Sequence, residues 1–78
     1  MPDRTLDATG LRCPMPLLKT KLELSSMTAG EELEVFATDA GSRRDIPAWL
    51  EFSPHELLDH SEHRGRYRFV IKCGAEAV

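Results

Sequence analysis

Two cysteines occur in the chain, Cys13 and Cys73, and Cys13 sits in the run Gly10-Leu11-Arg12-Cys13-Pro14-Met15-Pro16. Only the thiolate of cysteine is a good nucleophile, and a free thiol near pKa ~8.5 is mostly protonated at neutral pH. Proline is tolerated in a helix only in the first turn, where the backbone N–H groups have no helical partner. Pro14 and Pro16 therefore place Cys13 at a helix N-terminus. That end carries roughly half a positive charge and unpaired N–H donors, which favours the thiolate. Arg12 adds a neighbouring cation. The glycine and prolines stiffen the loop and leave the sulfur exposed to other proteins. On spacing alone a second reading stands beside this one, a small buried apolar residue, because free cysteines are often buried.

A dithiol redox site needs a second cysteine three residues on, and position 16 is proline. Cys13 cannot resolve a mixed disulfide locally. A single exposed, activated thiol suits holding a group such as a persulfide sulfur. Cys73 falls on the inward phase of the last predicted strand and reads as a buried structural thiol. A metal site built from His60, His63 and Cys73 is the competing chemistry. Metal sites want more ligands at tighter spacing, and strand alternation sends positions 60 and 63 to opposite faces. The three histidines, His55, His60 and His63, read more simply as exposed strand and loop residues. No metal and no cofactor is expected.

The elements that must position Cys13 follow from pattern. Thr5 to Ala8 alternates and predicts an opening strand, broken at Thr9-Gly10. A helix opens at Cys13-Pro14-Met15-Pro16 and runs to about Ser26. Leu17, Thr20, Leu24 and Met27 form its core stripe, with Leu18 and Leu22 as a second apolar pair. Ala29-Gly30 ends it. Glu31 to Thr38 predicts a strand with Leu33, Val35 and Ala37 on one face. Asp39-Ala40-Gly41 is a turn. Ser42 with Asp45 resembles a capping box that starts a helix reaching about Phe52. Pro47 there implies either a distorted first turn or a start nearer Asp45. His55 to Ser61 predicts a strand and Glu62 to Gly65 a hairpin loop. Arg66 to Cys73 predicts a strictly alternating strand, with Tyr67, Phe69, Ile71 and Cys73 inward and Arg66, Arg68, Val70 and Lys72 outward. The tail, Gly74 to Val78, reads as loose. The order βαβαββ predicts an α/β (α+β) two-layer sandwich, a mixed four-stranded sheet with two helices on one face and a right-handed first crossover between parallel strands. Leu17, Leu24, Leu33, Val35, Trp49, Tyr67, Phe69 and Ile71 are the expected core.

The chain has 78 residues, which makes residues 1–78 one domain with a small core and no deep private active site. A large substrate has to be met at the surface. The formal net charge of −3 argues against binding nucleic acid through phosphates. Arg43 with Arg44, and Arg64, Arg66, Arg68 and Lys72, are basic clusters. They read as solvated faces or, more sharply, as a docking patch for an acidic protein. Met1 to Gly10 has no secretion-like apolar run and no stretch approaches a membrane span. A cytoplasmic, reducing setting, free thiols, a monomer, no membrane and no direct nucleic-acid contact are the expectations.

Leu6-Asp7-Ala8-Thr9-Gly10-Leu11-Arg12-Cys13-Pro14-Met15-Pro16 resembles the C-P-x-P signature of the TusA-like (SirA-like) sulfur-carrier proteins. Thr38-Asp39-Ala40-Gly41-Ser42-Arg43-Arg44-Asp45-Ile46-Pro47 resembles that family's second block. The similarity runs from about Leu6 to Lys72. It implies a fold like the C-terminal domain of a bacterial translation initiation factor. It also implies a sulfurtransferase role in which Cys13 takes a persulfide sulfur from a cysteine desulfurase and relays it to a downstream acceptor protein. Synthesis of tRNA 2-thiouridine, molybdenum-cofactor assembly and sulfur oxidation are destinations the resemblance implies. By the same resemblance Asp7 and Asp45 are supporting polar residues, and Pro14 and Pro16 shape the loop. The plain readings of Asp7 and Asp45, an exposed strand residue and a helix cap, stand beside that. A regulatory or adaptor module of the same fold, without sulfur transfer, is the alternative function.

Overall fold

The computed structural model describes residues 2–74, and six elements follow in the expected order. They are β1 (Arg4–Ala8), α1 (Met15–Ser25), β2 (Glu32–Ala37), α2 (Ser42–Glu51), β3 (Glu56–His63) and β4 (Arg66–Lys72). The strands form one sheet in the order β1-β2-β4-β3. β1 and β2 are parallel, with Leu6 beside Val35, while β4 runs antiparallel to both β2 and β3. Parallel neighbours need a crossover, which α1 supplies.

Both helices cover one face of the sheet. Leu24 and Met27 on the α1 side and Ile46 and Leu50 of α2 close over Leu33, Val35, Phe69 and Ile71. Burial of these side chains drives the layering, at roughly 1.5–3 kcal/mol each. The alternation of β4 holds at most positions: Phe69 and Ile71 are buried while Arg66 and Lys72 are exposed. Of the expected core, Leu17, Trp49 and Tyr67 are only partly buried and pack on its rim. Two helices are too narrow to cover four strands completely. Alternation puts Val70 on the outer face, yet it is buried. It stands in register between Glu34 and Asp59, and Arg68 is paired with both of those carboxylates, so long side chains bracket it.

Three boundaries differ from the sequence reading. Helix α1 begins at Met15 with Pro14 as its cap, so Cys13 precedes the helix rather than opening it. Helix α2 has no capping box. Gly41 is the cap residue, Ser42 lies inside the helix, and Asp39 Oδ2 takes the backbone N–H of Ser42 at 3.2 Å. Asp45 is thus free of capping duty. Pro47 lies inside α2, which starts at Ser42 and not nearer Asp45, so the helix tolerates a missing N–H beyond its first turn. The hairpin is also tighter than expected. Its loop is Arg64-Gly65, with φ of 53° and 79°, the left-handed pair a two-residue turn requires.

At the end of β4, Gly74 is fastened to the start of β3. Its N–H donates to His55 Nδ1 at 2.9 Å. A Cβ on Gly74 would come within 1.9 Å of the Pro54 carbonyl oxygen, so only glycine fits there. The remainder of the tail expected to be loose, residues 75–78, lies outside the described residues.

Candidate functional site

The two loops that leave the C-terminal ends of parallel β1 and β2 lie side by side, the usual place for a site in sheets with parallel strands. The first loop is built by short-range bonds. Asp7 Oδ1 accepts the Thr9 N–H at 3.0 Å and the Thr9 hydroxyl at 2.6 Å, an Asx turn that ends β1. Those bonds hold the Asp7 carboxyl below the usual aspartate range, with the charge of Arg66 contributing less. Gly10 takes a φ of 82° and its N–H donates to Thr38 Oγ1 at 2.9 Å, which ties this loop to the end of β2. The Met15 N–H then donates to the Arg12 carbonyl at 2.8 Å, closing the turn that carries Cys13. The Cys13–Pro14 peptide bond is cis.

Cys13 is exposed, as anticipated. Its surroundings are not those anticipated. The Cys13 thiol donates to Asp45 Oδ2 at 3.3 Å, and Asp45 comes from α2. That hydrogen bond, then desolvation, then the charges of Asp45 and Asp39, push the thiol above its ordinary pKa; Arg44 opposes them weakly. A hydrogen bond to the neutral form and nearby like charges both disfavour the thiolate. The expected activation by the helix terminus and Arg12 is therefore overturned in the free protein. Two causes account for it. Cys13 sits ahead of the cap, while the helix field is strongest at the terminus itself and fades within a turn. And the carboxylates that dominate come from the first turn of α2 and the loop before it, which no local reading of positions 10–16 includes.

Gly41 explains how these groups come so close. Its φ of −66° is ordinary, so the need is for space. A Cβ there would meet Asp39 Oδ2 at 2.9 Å, Cys13 Cβ at 3.5 Å and Asp45 Oδ2 at 3.7 Å. Asp45 Oδ1 faces Arg44 Nε at 3.8 Å, too long for a hydrogen bond. A shallow open cavity of about 460 Å³ lies over this corner, lined by Ala40, Gly41, Arg43 and Arg44.

The fold thus joins Cys13 with Asp45 and adds Asp39 and Gly41, which sequence reasoning passed over. Their only signal was membership of the stretch Thr38–Pro47. Pro14 caps α1, and Pro16 is buried in its first turn, where its carbonyl accepts the Thr20 hydroxyl at 2.8 Å. Arg12 is exposed, and Arg44 is the cation that bears on the thiol. Asp7 shapes the base of the loop through Thr9 and does not reach the sulfur in this arrangement. Leu18 and Leu22, the second apolar pair of α1, are exposed, joined by Met15 in the same stripe, and Phe52 is 90% exposed just past α2. Cys73 is buried, and its thiol faces the carbonyl oxygens of Leu24 and Met27 at 3.6 and 3.8 Å. His60 and His63 are exposed on β3, and among the described residues no group of three or more His, Cys, Asp or Glu side chains is arranged to hold a metal ion. No described helix is long and apolar enough to cross a membrane.

The profile of the family described as Sulfurtransferase TusA matches residues 4–73. A sulfur carrier protein TusA of Allochromatium vinosum is 43% identical over 70 residues, spanning 90% of this chain and 92% of that protein. A putative sulfur carrier protein YrkI of Bacillus subtilis is 40% identical over 72 residues, spanning 92% of this chain and 96% of that protein. In three dimensions, a SirA-like protein of Desulfitobacterium hafniense superposes with a TM-score of 0.79 at 24% identity, covering 92% of this chain and 99% of that one. That likeness establishes the shared fold.

Proposed function

The chain belongs to the TusA family, and from that premise we propose that it is a sulfur carrier that bears a persulfide on Cys13. The observation that carries the reading is the placement of Cys13: an exposed thiol in a turn at the domain surface, while Cys73 is sealed in the core. The cavity over the Cys13 corner is shallow and open, so the sulfur has to be exchanged with partner proteins at the surface.

The donor is a cysteine desulfurase that carries a persulfide. Cys13, as thiolate, attacks the outer sulfur of that persulfide. The new S–S bond forms on Cys13 as the donor's S–S bond breaks, and the donor cysteine leaves as a thiolate. The proton lost by Cys13 goes to solvent or to the departing thiolate. No external oxidant or reductant is needed. A second exchange of the same kind passes the sulfur to an acceptor protein, with tRNA 2-thiouridine synthesis as its destination. Asp7, Arg12, Pro14, Pro16 and Asp45 support the loop or its docking. The carrier works as a monomer in a reducing cytoplasm, where Cys13 stays a free thiol.

Intact-mass measurement after incubation with a cysteine desulfurase and cysteine tests this. The expected result is a gain of one sulfur atom, mapped to Cys13 and absent from Cys13→Ser. No gain in the wild-type chain would favour the adaptor reading instead.

A further inference from the structure

We propose that Asp45 is a lock on the unloaded carrier: by accepting the Cys13 thiol, it holds the empty site in its unreactive protonated form. This rests on the carrier reading above and concerns how that same site is regulated.

The geometry is specific. Asp45 Oδ2 receives the thiol at 3.3 Å. Its other oxygen faces only the loose contact with Arg44 at 3.8 Å, so no firm ion pair draws the carboxylate away from the sulfur. Asp39, from the β2–α2 turn, adds a second negative charge and is itself pinned by the Ser42 N–H. Gly41 leaves the space that lets both carboxylates and Cys13 converge. Of the cations nearby, Arg44 opposes the carboxylates weakly, and Arg12 on Cys13's own loop is exposed. The thiol is held above its ordinary pKa as a consequence.

The lock has a purpose in chemistry. An exposed low-pKa thiolate is oxidised and alkylated indiscriminately. A carrier that meets many small electrophiles between transfers gains selectivity if its empty thiol stays protonated. Nucleophilicity then has to be released when the Cys13–Asp45 contact is broken. The inner sulfur of a Cys13 persulfide bears no hydrogen, so the loaded state no longer presents on that atom the proton that Asp45 accepts.

The test is the rate of Cys13 alkylation by iodoacetamide against pH, mapped by mass spectrometry so that Cys73 does not interfere. In the wild-type chain the midpoint is expected above that of the same chain unfolded in urea. Asp45→Asn keeps an acceptor and removes the charge; Asp45→Ala removes both. Both are expected to lower the midpoint, Ala more than Asn. The thiolate fraction at neutral pH should rise about tenfold for every pH unit by which the midpoint falls, and the alkylation rate by less than that, because a thiolate of lower pKa is a weaker nucleophile. Asp45→Glu, which restores the charge, is expected to bring the midpoint back up. Thermal melts establish that each variant is folded. A folded wild-type midpoint at or below the unfolded one, or folded Asn and Ala variants with the wild-type midpoint, overturns the lock. The measurement needs no sulfur donor. A chain with the raised midpoint but no sulfur loading would lose the carrier reading and keep the lock; a chain that loads without the raised midpoint would do the reverse.

Discussion

Cys13 and Asp45 are 32 positions apart in the chain, yet their side chains meet at 3.3 Å. Cys13 arrives on the loop that follows β1 and Asp45 on the first turn of α2, just beyond the loop that follows β2; Gly10 bonded to Thr38 fastens the first loop to the end of the second strand. The pair sets the protonation of the only exposed thiol among the described residues.

The two cysteines should separate cleanly by mutation. Cys13→Ser hardly changes volume at an exposed position, so stability should stay within about 0.5 kcal/mol while sulfur loading disappears. Cys73→Ala removes a buried side chain from against Leu24 and Met27 and should cost on the order of 1 kcal/mol. Its sulfur loading should be that of the wild type. Urea melts with intact-mass assays check both. A Cys73 variant that fails to load, beside a Cys13 variant that loads, would reverse the roles assigned here.

Gly41→Ala tests whether the corner is as crowded as its distances state. Alanine is ordinarily preferred to glycine within a helix. Here its Cβ would press on the Asp39 carboxylate at 2.9 Å and dislodge the cap on the Ser42 N–H. The Ser42 N–H would be left with the Asp39 carbonyl alone, and at a cap position glycine is itself preferred to alanine, so the change should cost stability, on the order of 0.5–1 kcal/mol. A lowered urea midpoint is the expected result, and a stabilised variant would contradict the geometry.

Asp7 gives a pH dependence with a definite sign. Its carboxyl is held below the ordinary aspartate range by its bonds to Thr9. A lowered native value adds stability at pH above the unfolded value, and that stability is lost as pH falls through the native one. Asp7→Ala should therefore melt below the wild type at neutral pH, and the gap should shrink as the medium is acidified past the native value. Melting curves in neutral and strongly acidic buffer decide it. An equal gap in both would show that the Thr9 bonds do not depend on the carboxylate.

Arg12 is exposed beside Cys13, and the use proposed for it is docking of a partner. Arg12→Glu should slow sulfur uptake from the desulfurase. The effect should be larger at low salt than at high salt, because screening weakens exposed charge pairs. Transfer rates at two ionic strengths measure this, and a salt-independent effect would point to a disturbed loop instead.

Much of this protein was legible in its residues. The period-two runs at Leu33-Val35-Ala37 and Phe69-Ile71 fixed the strand faces, because alternation leaves only one way to bury them. Pro14 and Pro16 located the start of α1 to within two residues, since proline fits only where N–H groups lack partners. The exposure of Cys13 and the burial of Cys73 followed from loop and strand phase. What the sequence by itself left open was everything that depends on two distant segments meeting. The charge state of Cys13 was read from neighbours in the chain, a helix end and an arginine, and the answer lay with Asp45 of α2 and Asp39 of the loop before it. Asp45 looked like half of a capping box because Ser42 lies three residues before it. Only the packed structure showed Asp39 taking the cap and leaving Asp45 to the thiol. Electrostatic effects act over a few ångströms of space rather than along the chain. They are decided by tertiary contacts, whereas the pattern of burial is already written in the order of apolar and polar residues.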